Sequence, residues 1–242
     1  MDPRHLDELA RVEATYWWHV AKRALLEDLL HRFAPPPGLL VEGGVGAGLT
    51  LRACRDLGYE VAGLDRMPEA GGHAAALGLT EVHVQDLHDP WPFEAGRARA
   101  VVLLDVLEHL EDPVSVLRHA AAALEPEGVV VVSVPAVPAL FGPWDRALGH
   151  LRRYTRGMLA AEAGEAGLTV RWISAWNAFS LLPATLVRGV DRILGRQPGV
   201  AFPEVPEVVN RGLVTLAAAE RGVLGIHALP LGLSLAAVLA AR

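Results

Sequence analysis

The stretch Val41-Glu42-Gly43-Gly44-Val45-Gly46-Ala47-Gly48 sets one acid ahead of a dense glycine turn, directly after the apolar Leu39-Leu40. Glycines supply positive φ values and allow close backbone approach, so such a turn suits a cofactor. Three more acids follow apolar runs: Asp65 after Val61–Leu64, Asp86 shortly after Val84, and Asp105 after Ala98–Leu104. Glu108 and His109 lie just beyond Asp105, and His150, Arg152, Arg153 and Tyr154 cluster later. Carboxylates of this kind suit a cationic ligand, imidazoles can take a proton near neutral pH, and guanidiniums can hold an anionic group.

The glycine turn has three possible ligands. Gly43 to Thr50 has the spacing of a triphosphate loop, but Leu49 stands where that loop needs its lysine. Lys22 is the only lysine in the chain, so no neighbour replaces it. A dinucleotide loop needs G-x-G-x-x-G; here the third glycine, Gly48, comes one place early, although Asp65 matches the acid such folds place after strand two. Glu42 decides between the remaining two. A carboxylate there repels a pyrophosphate at the helix N-terminus and suits a ligand carrying an ammonium or sulfonium.

Short apolar strands alternating with helices must position these residues. The strands read as 39–41, 61–64, 81–84, 98–104 and 129–134, with helices over 49–57, 70–77 and 114–124 between them. Continuous β-branched runs such as Val129–Val132 fit strands buried on both faces of a parallel sheet. Residues 1–38 read as helical up to the Pro35-Pro36-Pro37-Gly38 stop. Helix is expected over 154–167 and strand over 168–173. Apolar helical patches at 181–193 and 208–224 flank a Pro- and Gly-rich 195–206, and a last strand is expected over 231–239. We read one domain: a helical lid (1–38), a cofactor-binding core (39–177), a helical cap insertion (178–228) and a final strand (229–242). The cap covers a pocket or forms a dimer face, with contact to a membrane surface as a third option.

The chain has 242 residues, 52% of them hydrophobic, and a net charge of −6. The acidic balance argues against nucleic acid as partner. The single Cys54 forms neither an internal disulfide nor a cysteine metal cluster, and no H-x₃-H spacing suggests a metal, so none is expected. With no signal peptide and no apolar run of about 18 residues or more, a soluble, cytoplasmic monomer or homodimer is expected.

Leu40–Gly48 resembles motif I of class I S-adenosylmethionine-dependent methyltransferases: a strand, an acid and G-x-G-x-G. Gly63-Leu64-Asp65, Val84-Gln85-Asp86-Leu87 and Leu104–Pro113 resemble the family's later marks in order, the last being the most specific. Tyr16–Arg23 is similar to a W-W…R-R signature, and Gly149–Thr155 to a G-H-x-R-R-Y-T segment, of bacterial members that act on small molecules. The resemblance covers roughly 13–175. It departs at Glu42 and Val45 in motif I and at Tyr16 and His19.

The resemblance implies a doubly wound α/β fold of Rossmann-like type with a seven-stranded, mostly parallel sheet and an antiparallel last strand. It implies S-adenosylmethionine as cofactor, with S-adenosylhomocysteine as product, bound by Glu42, Gly44, Gly46, Gly48, Asp65, Arg66, Asp86, Leu87 and Asp105. Within that set, Asp65 takes the ribose hydroxyls, Asp86 the adenine side and Asp105 the methionine amino group. The expected reaction is O- or N-methylation of a small-molecule or lipid-linked acceptor. His109 or His150 would accept the proton, and Trp18, Arg23, Glu108, Arg152, Arg153 and Tyr154 would line the acceptor pocket. The alternatives are an NAD(P)-dependent oxidoreductase, for which Lys22 has the wrong spacing, and a non-catalytic cofactor-binding protein.

Overall fold

The computed structural model describes residues 3–195 and 205–242, with only the backbone considered at 3–5, 7, 8 and 192. Most of the Pro- and Gly-rich separator at 195–206 therefore lies outside the described residues. The chain begins with α1 (Pro3–Val12) and α2 (Trp17–Phe33), then β1 (Leu39–Gly43), α3 (Leu49–Asp56), β2 (Glu60–Asp65), α4 (Pro68–Ala76), β3 (Val82–Val84) and β4 (Ala98–Leu104). It continues through α5 (Pro113–Ala123), β5 (Leu124–Pro135), α6 (Pro143–Ala147), α7 (Arg156–Glu165) and β6 (Leu168–Trp176). After these come α8 (Ala178–Ile193), α9 (Glu207–Leu224) and β7 (Ser234–Ala241).

The strands form one sheet in the order β3-β2-β1-β4-β5-β7-β6, and β7 runs antiparallel to both neighbours. This is the expected doubly wound, seven-stranded sheet. The order reverses between β1 and β4, which opens a crevice at their carboxyl ends, the usual ligand position in such sheets. Register brings Glu42 beside Gly63 of β2 and Val102 of β4, so that acid lies in the middle of the sheet near this crevice.

Alternation along β5 explains the two-sided core. Val129 and Val131 pack with Leu25, Leu26, Leu29 and Leu30 of α2, while Val130, Val132 and Val134 pack with Val116 and Leu117 of α5 and Leu159 of α7. Side chains on a strand point alternately to opposite faces, so a continuous apolar run serves both layers.

Several boundaries differ from the sequence reading, among them the start of β5, at Leu124 and not 129. The first 38 residues are two helices, because the chain turns at 13–16 and Tyr16 is extended ahead of α2. Helix α7 starts at Arg156, where the Thr155 side chain caps it by accepting from Met158 N–H. The last strand starts at Ser234, since Gly232 packs against the Trp176 backbone. Helix α6 and the single turn at Leu107–His109 are too short to carry a periodic pattern.

Candidate active site

The glycine turn closes off β1. Gly44, Gly46 and Gly48 all hold positive φ, and a Cβ at Gly44 would come within 2.7 Å of Val106. Asp65, at the end of β2, braces the turn: its Oδ2 accepts from Gly46 N–H at 2.9 Å and its Oδ1 from Met67 N–H at 2.9 Å. Each of its oxygens keeps acceptor capacity for a further donor such as a hydroxyl. Leu9 of α1 lies over Gly46, so the first helix covers the turn.

Glu42 is buried below the turn, and its Oε2 has no hydrogen-bond partner. Burial, then the charge of Glu13, push its carboxyl well above the usual range.

Asp105 follows β4 in the left-handed conformation, φ 56°. Its Oδ1 accepts from the Ser133 hydroxyl at 3.1 Å, and its Oδ2 pairs with Lys22 Nζ at 2.9 Å. The sequence singles out Lys22 as the only lysine but gives it no place in the site; its partner lies 83 residues away, and only the packing of α2 against the sheet joins them.

Asp86 and Arg66 stand at the outer rim, both exposed. Asp86 accepts from His88 N–H and approaches His88 Nδ1 at 2.7 Å, and these hydrogen bonds hold its carboxyl below the usual range. Leu87 is buried in the core, and its carbonyl accepts from Trp91 Nε1.

Beyond Asp105 the chain brings His109 and His150 together, ring centroids 4.8 Å apart and edge to face. Burial, then the neighbouring His150, push the His109 imidazole down to about 4, so it is neutral at physiological pH. Nδ1 of His109 lies 3.2 Å from the Gly149 carbonyl. Glu108 is fully buried with both oxygens unpartnered, and burial followed by the Asp105 charge raise its carboxyl well above the usual range. Its Oε1 is 3.9 Å from His150 Nε2.

Folding thus produces a cluster that sequence spacing did not suggest. Glu108, His109 and His150 bring one donor atom each to within 4.8 Å of one another, the one such group among the described residues. Two imidazoles and a carboxylate are a donor set that divalent cations accept. Glu108 and His150 are 42 positions apart, so no local spacing encodes this group.

The other pocket candidates have tasks in the scaffold. Arg153 is buried, its Nε 2.7 Å from Asp145 Oδ1 and its Nη1 donating to the Ala136 carbonyl. Tyr154 is fully buried and its hydroxyl donates to the Leu107 carbonyl at 3.3 Å. Arg152 donates to the carbonyls of Leu110 and Glu111. Arg23 donates to the Glu13 carbonyl, pinning the turn between α1 and α2. Trp18 stacks on Trp176 at 5.0 Å. A second residue that the sequence did not place in the site is Asp145 of α6. It binds Arg153, Arg188 of α8 (2.8 Å), His150 Nδ1 (3.3 Å) and Gly142 N–H. Beside it, Leu140, Trp144, Thr185, Arg188 and Asp191 line a cavity of about 150 Å³.

Residues 16–172 match the family described as a methyltransferase domain. A ubiquinone biosynthesis O-methyltransferase of Xanthomonas axonopodis pv. citri (strain 306) is 30% identical over 151 residues, 56% of this chain and 63% of that protein. The corresponding Xanthomonas oryzae pv. oryzae (strain PXO99A) protein is 28% identical over the same shares. The chain thus spans 63% of the length of these relatives. A Haloferax volcanii chain, solved with the Trm112 methyltransferase activator, superposes with TM-score 0.64 at 22% identity, covering 99% of this chain and 96% of that one. Geranyl diphosphate methyltransferase, solved in complex with S-adenosylmethionine, gives 0.57 at 18% identity over 91% and 85%. At those identities the two structures speak for the fold alone. The family match spans well over half of the chain and meets the glycine turn, Asp65, Asp105 and the histidine pair in order: the chain belongs to the methyltransferase domain family, of the class I, S-adenosylmethionine-dependent kind.

Proposed function

We propose that this methyltransferase methylates an oxygen of a small or lipid-linked acceptor, with the His109–His150 pair receiving the proton. The observation that carries the reading is the edge-to-face pair of His109 and His150, with His109 four residues after Asp105 and neutral at physiological pH. The O-methyltransferase relatives support oxygen over nitrogen.

The cofactor's sulfonium supplies an activated methyl group for in-line displacement. The glycine turn and Asp65 fit its adenosine end, and the carboxylates around Asp105 fit its cationic end. The chain's main contribution is alignment, worth up to roughly 7–11 kcal/mol in favourable cases. A hydroxyl acceptor loses its proton as the bond forms, and a positioned imidazole takes it, a contribution of about 10²- to 10⁴-fold. Asp145 holds His150 through Nδ1, which leaves Nε2 as acceptor. The helices α1–α2 act as lid and α8–α9 as cap. Trp17 N–H donates to Asn210 Oδ1 at 2.9 Å and the Trp17 ring meets Phe179, so lid and cap are stitched together. Leu182, Leu186 and Ile193 of α8, Val208 of α9 and Ile226 in the turn after it are exposed, an apolar surface that suits an acceptor with a lipid tail. Among the described residues no helix is long and apolar enough to cross a membrane.

Calorimetric titration with S-adenosylmethionine and S-adenosylhomocysteine, followed by mass spectrometry of phenol, catechol and amine panels, tests the reading. Transfer to oxygen is expected; transfer to amines alone overturns the acceptor assignment, and no cofactor binding overturns the whole. The Glu108–His109–His150 group supports a second reading, in which a divalent cation activates the acceptor oxygen in place of the imidazole base. The two separate on dialysis against a chelator. Unchanged turnover is the base reading's outcome, and loss that Mg²⁺ or Zn²⁺ restores is the cation's.

A further inference from the structure

Helices α6 and α8 flank the cavity of about 150 Å³ that lies beside Asp145. Neither the glycine turn, Asp65, Asp105 nor the histidine pair lines it, so it is separate from the crevice. Thr185 stands three positions before Arg188 and four before Gly189, which turns all three to one side of α8. Gly189 leaves the room: a Cβ there would meet no atom within 4 Å. Leu140, Pro143 and Trp144 supply the other wall. Thr185 and Gly189 are exposed, so the cavity opens to solvent. An apolar cavity of roughly this volume admits a benzene-sized ring.

Most polar groups of the lining are committed. Trp144 Nε1 donates to Asp191 Oδ2 at 3.1 Å, which fixes the indole and occupies the buried acid. The Thr185 hydroxyl donates to the Leu181 carbonyl. Arg188, with a side chain 20% exposed, is the exception. Its Nη1 serves the Leu140 carbonyl (3.1 Å) and Asp145 Oδ2 (2.8 Å), while Nε and Nη2 keep their N–H donors. Its counter-charge is shared as well, since Asp145 also binds Arg153, His150 and Gly142 N–H. A guanidinium with a free edge matches a carboxylate, which accepts two parallel N–H bonds. An amine would have to use Asp191, which Trp144 already engages.

We propose that this cavity is a second ligand site, for an aromatic carboxylate: the ring sits beside Trp144 and the carboxylate on the Nε–Nη2 edge of Arg188. Nη1 stays on Asp145, whose other oxygen holds His150. The bound ligand therefore draws α8 onto the carboxylate that orients the imidazole. Two sources share this chemistry. One is the methyl acceptor itself, anchored by an acid group; the other is a separate acid that binds beside the active site.

Titration of the full chain with benzoate, benzamide and benzylamine tests this, followed by NMR of the Trp144 indole N–H, which Trp144→Phe identifies. Benzoate is expected to shift that signal saturably and to bind at least about tenfold more tightly than the other two, the worth of a charge-assisted hydrogen bond. Arg188→Gln should erase the preference, weakening benzoate roughly ten- to hundredfold while benzamide stays within about twofold. Gly189→Leu, which takes up the room of the cavity, should weaken both. Equal binding of benzoate and benzamide, tighter binding of benzylamine, no movement of Trp144, or a preference that survives Arg188→Gln overturns the site. If Arg188→Gln does not fold, the three ligands on the wild type and on Gly189→Leu still decide. Hydroxybenzoates incubated with S-adenosylmethionine then separate the two sources. Gain of a methyl group marks the acceptor, binding without it marks a separate acid, and either upholds the site. Binding is read without cofactor or turnover, so its failure leaves the O-methylation reading standing, and failure of that reading leaves the site in place.

Discussion

Asp145 Oδ1 lies 3.3 Å from His150 Nδ1, and the same carboxylate binds Arg153 and, from the cap, Arg188. Burial alone would raise the Asp145 carboxyl; the His150 hydrogen bond and the two guanidiniums outweigh it and hold the group well below the usual range. The carboxylate therefore fixes which imidazole nitrogen carries the proton. Asp145→Asn should lower kcat by about 10²-fold, the low end of a general base's contribution, with S-adenosylhomocysteine affinity little changed. Nitrogen NMR of His150 should report loss of the single Nδ1–H tautomer. A kcat drop with the tautomer intact would sink the assignment.

The glycine turn makes a separate prediction about stability. Gly44 has φ 83°, and its Cβ position is 2.7 Å from a Val106 methyl. Gly44→Ala combines left-handed strain with that clash, and the strain alone costs about 1–2 kcal/mol. The melting temperature should fall by roughly 2–8 °C in a domain of this size. A melting temperature within a degree of wild type would mean that the turn relaxes freely.

What the sequence revealed here follows from which interactions are local. Glycine spacing, an acid after each apolar strand and β-branched runs are encoded within a few residues. The crevice at β1, β2 and β4 with Glu42, Asp65 and Asp105 was legible for that reason. Lys22 on Asp105 and Asp145 between Arg153 and Arg188 join positions far apart in the chain, and no periodicity marks them. Tyr154 and Arg153 looked like pocket residues because a polar run after a strand usually meets solvent. Their hydroxyl and guanidinium instead satisfy the carbonyls of Leu107 and Ala136. Buried polar groups must find partners, and here those are backbone carbonyls and, for Arg153, the Asp145 carboxylate as well.

Glu42 ties affinity to stability through pH. Burial, then Glu13, raise its folded-state pKa well above the 4.5 of an ordinary glutamate. As pH climbs past that ordinary value, the unfolded chain releases this proton while the folded chain keeps it. The unfolded state is thereby favoured, and Glu42 costs stability increasingly up to its folded pKa. Glu42→Gln should therefore melt higher than wild type near pH 8 and no differently near pH 4. It should also bind S-adenosylmethionine more weakly, because the carboxyl is lost from the cationic end of the site. A melting difference independent of pH would show that packing, and not ionisation, accounts for it.

Glu220 of α9 caps a neighbouring helix from outside it. Its carboxylate accepts the backbone N–H groups of Asn177, Ala178 (2.8 Å) and Phe179 (3.4 Å) at the start of α8. These are donors that a helix start leaves unpaired, and a negative charge there also meets the helix dipole favourably. Glu220→Ala should cost about 0.5–2 kcal/mol, the usual range for a lost cap. Amide exchange at 177–179 should quicken while β1 and β4 stay protected. Arg188 lies on the same helix and reaches Asp145 at 2.8 Å, so loosening α8 slackens the clamp that holds His150. Turnover should then fall further than cofactor affinity does. If exchange quickens only at 177–179 and turnover is unchanged, the cap covers the site without acting on the histidine.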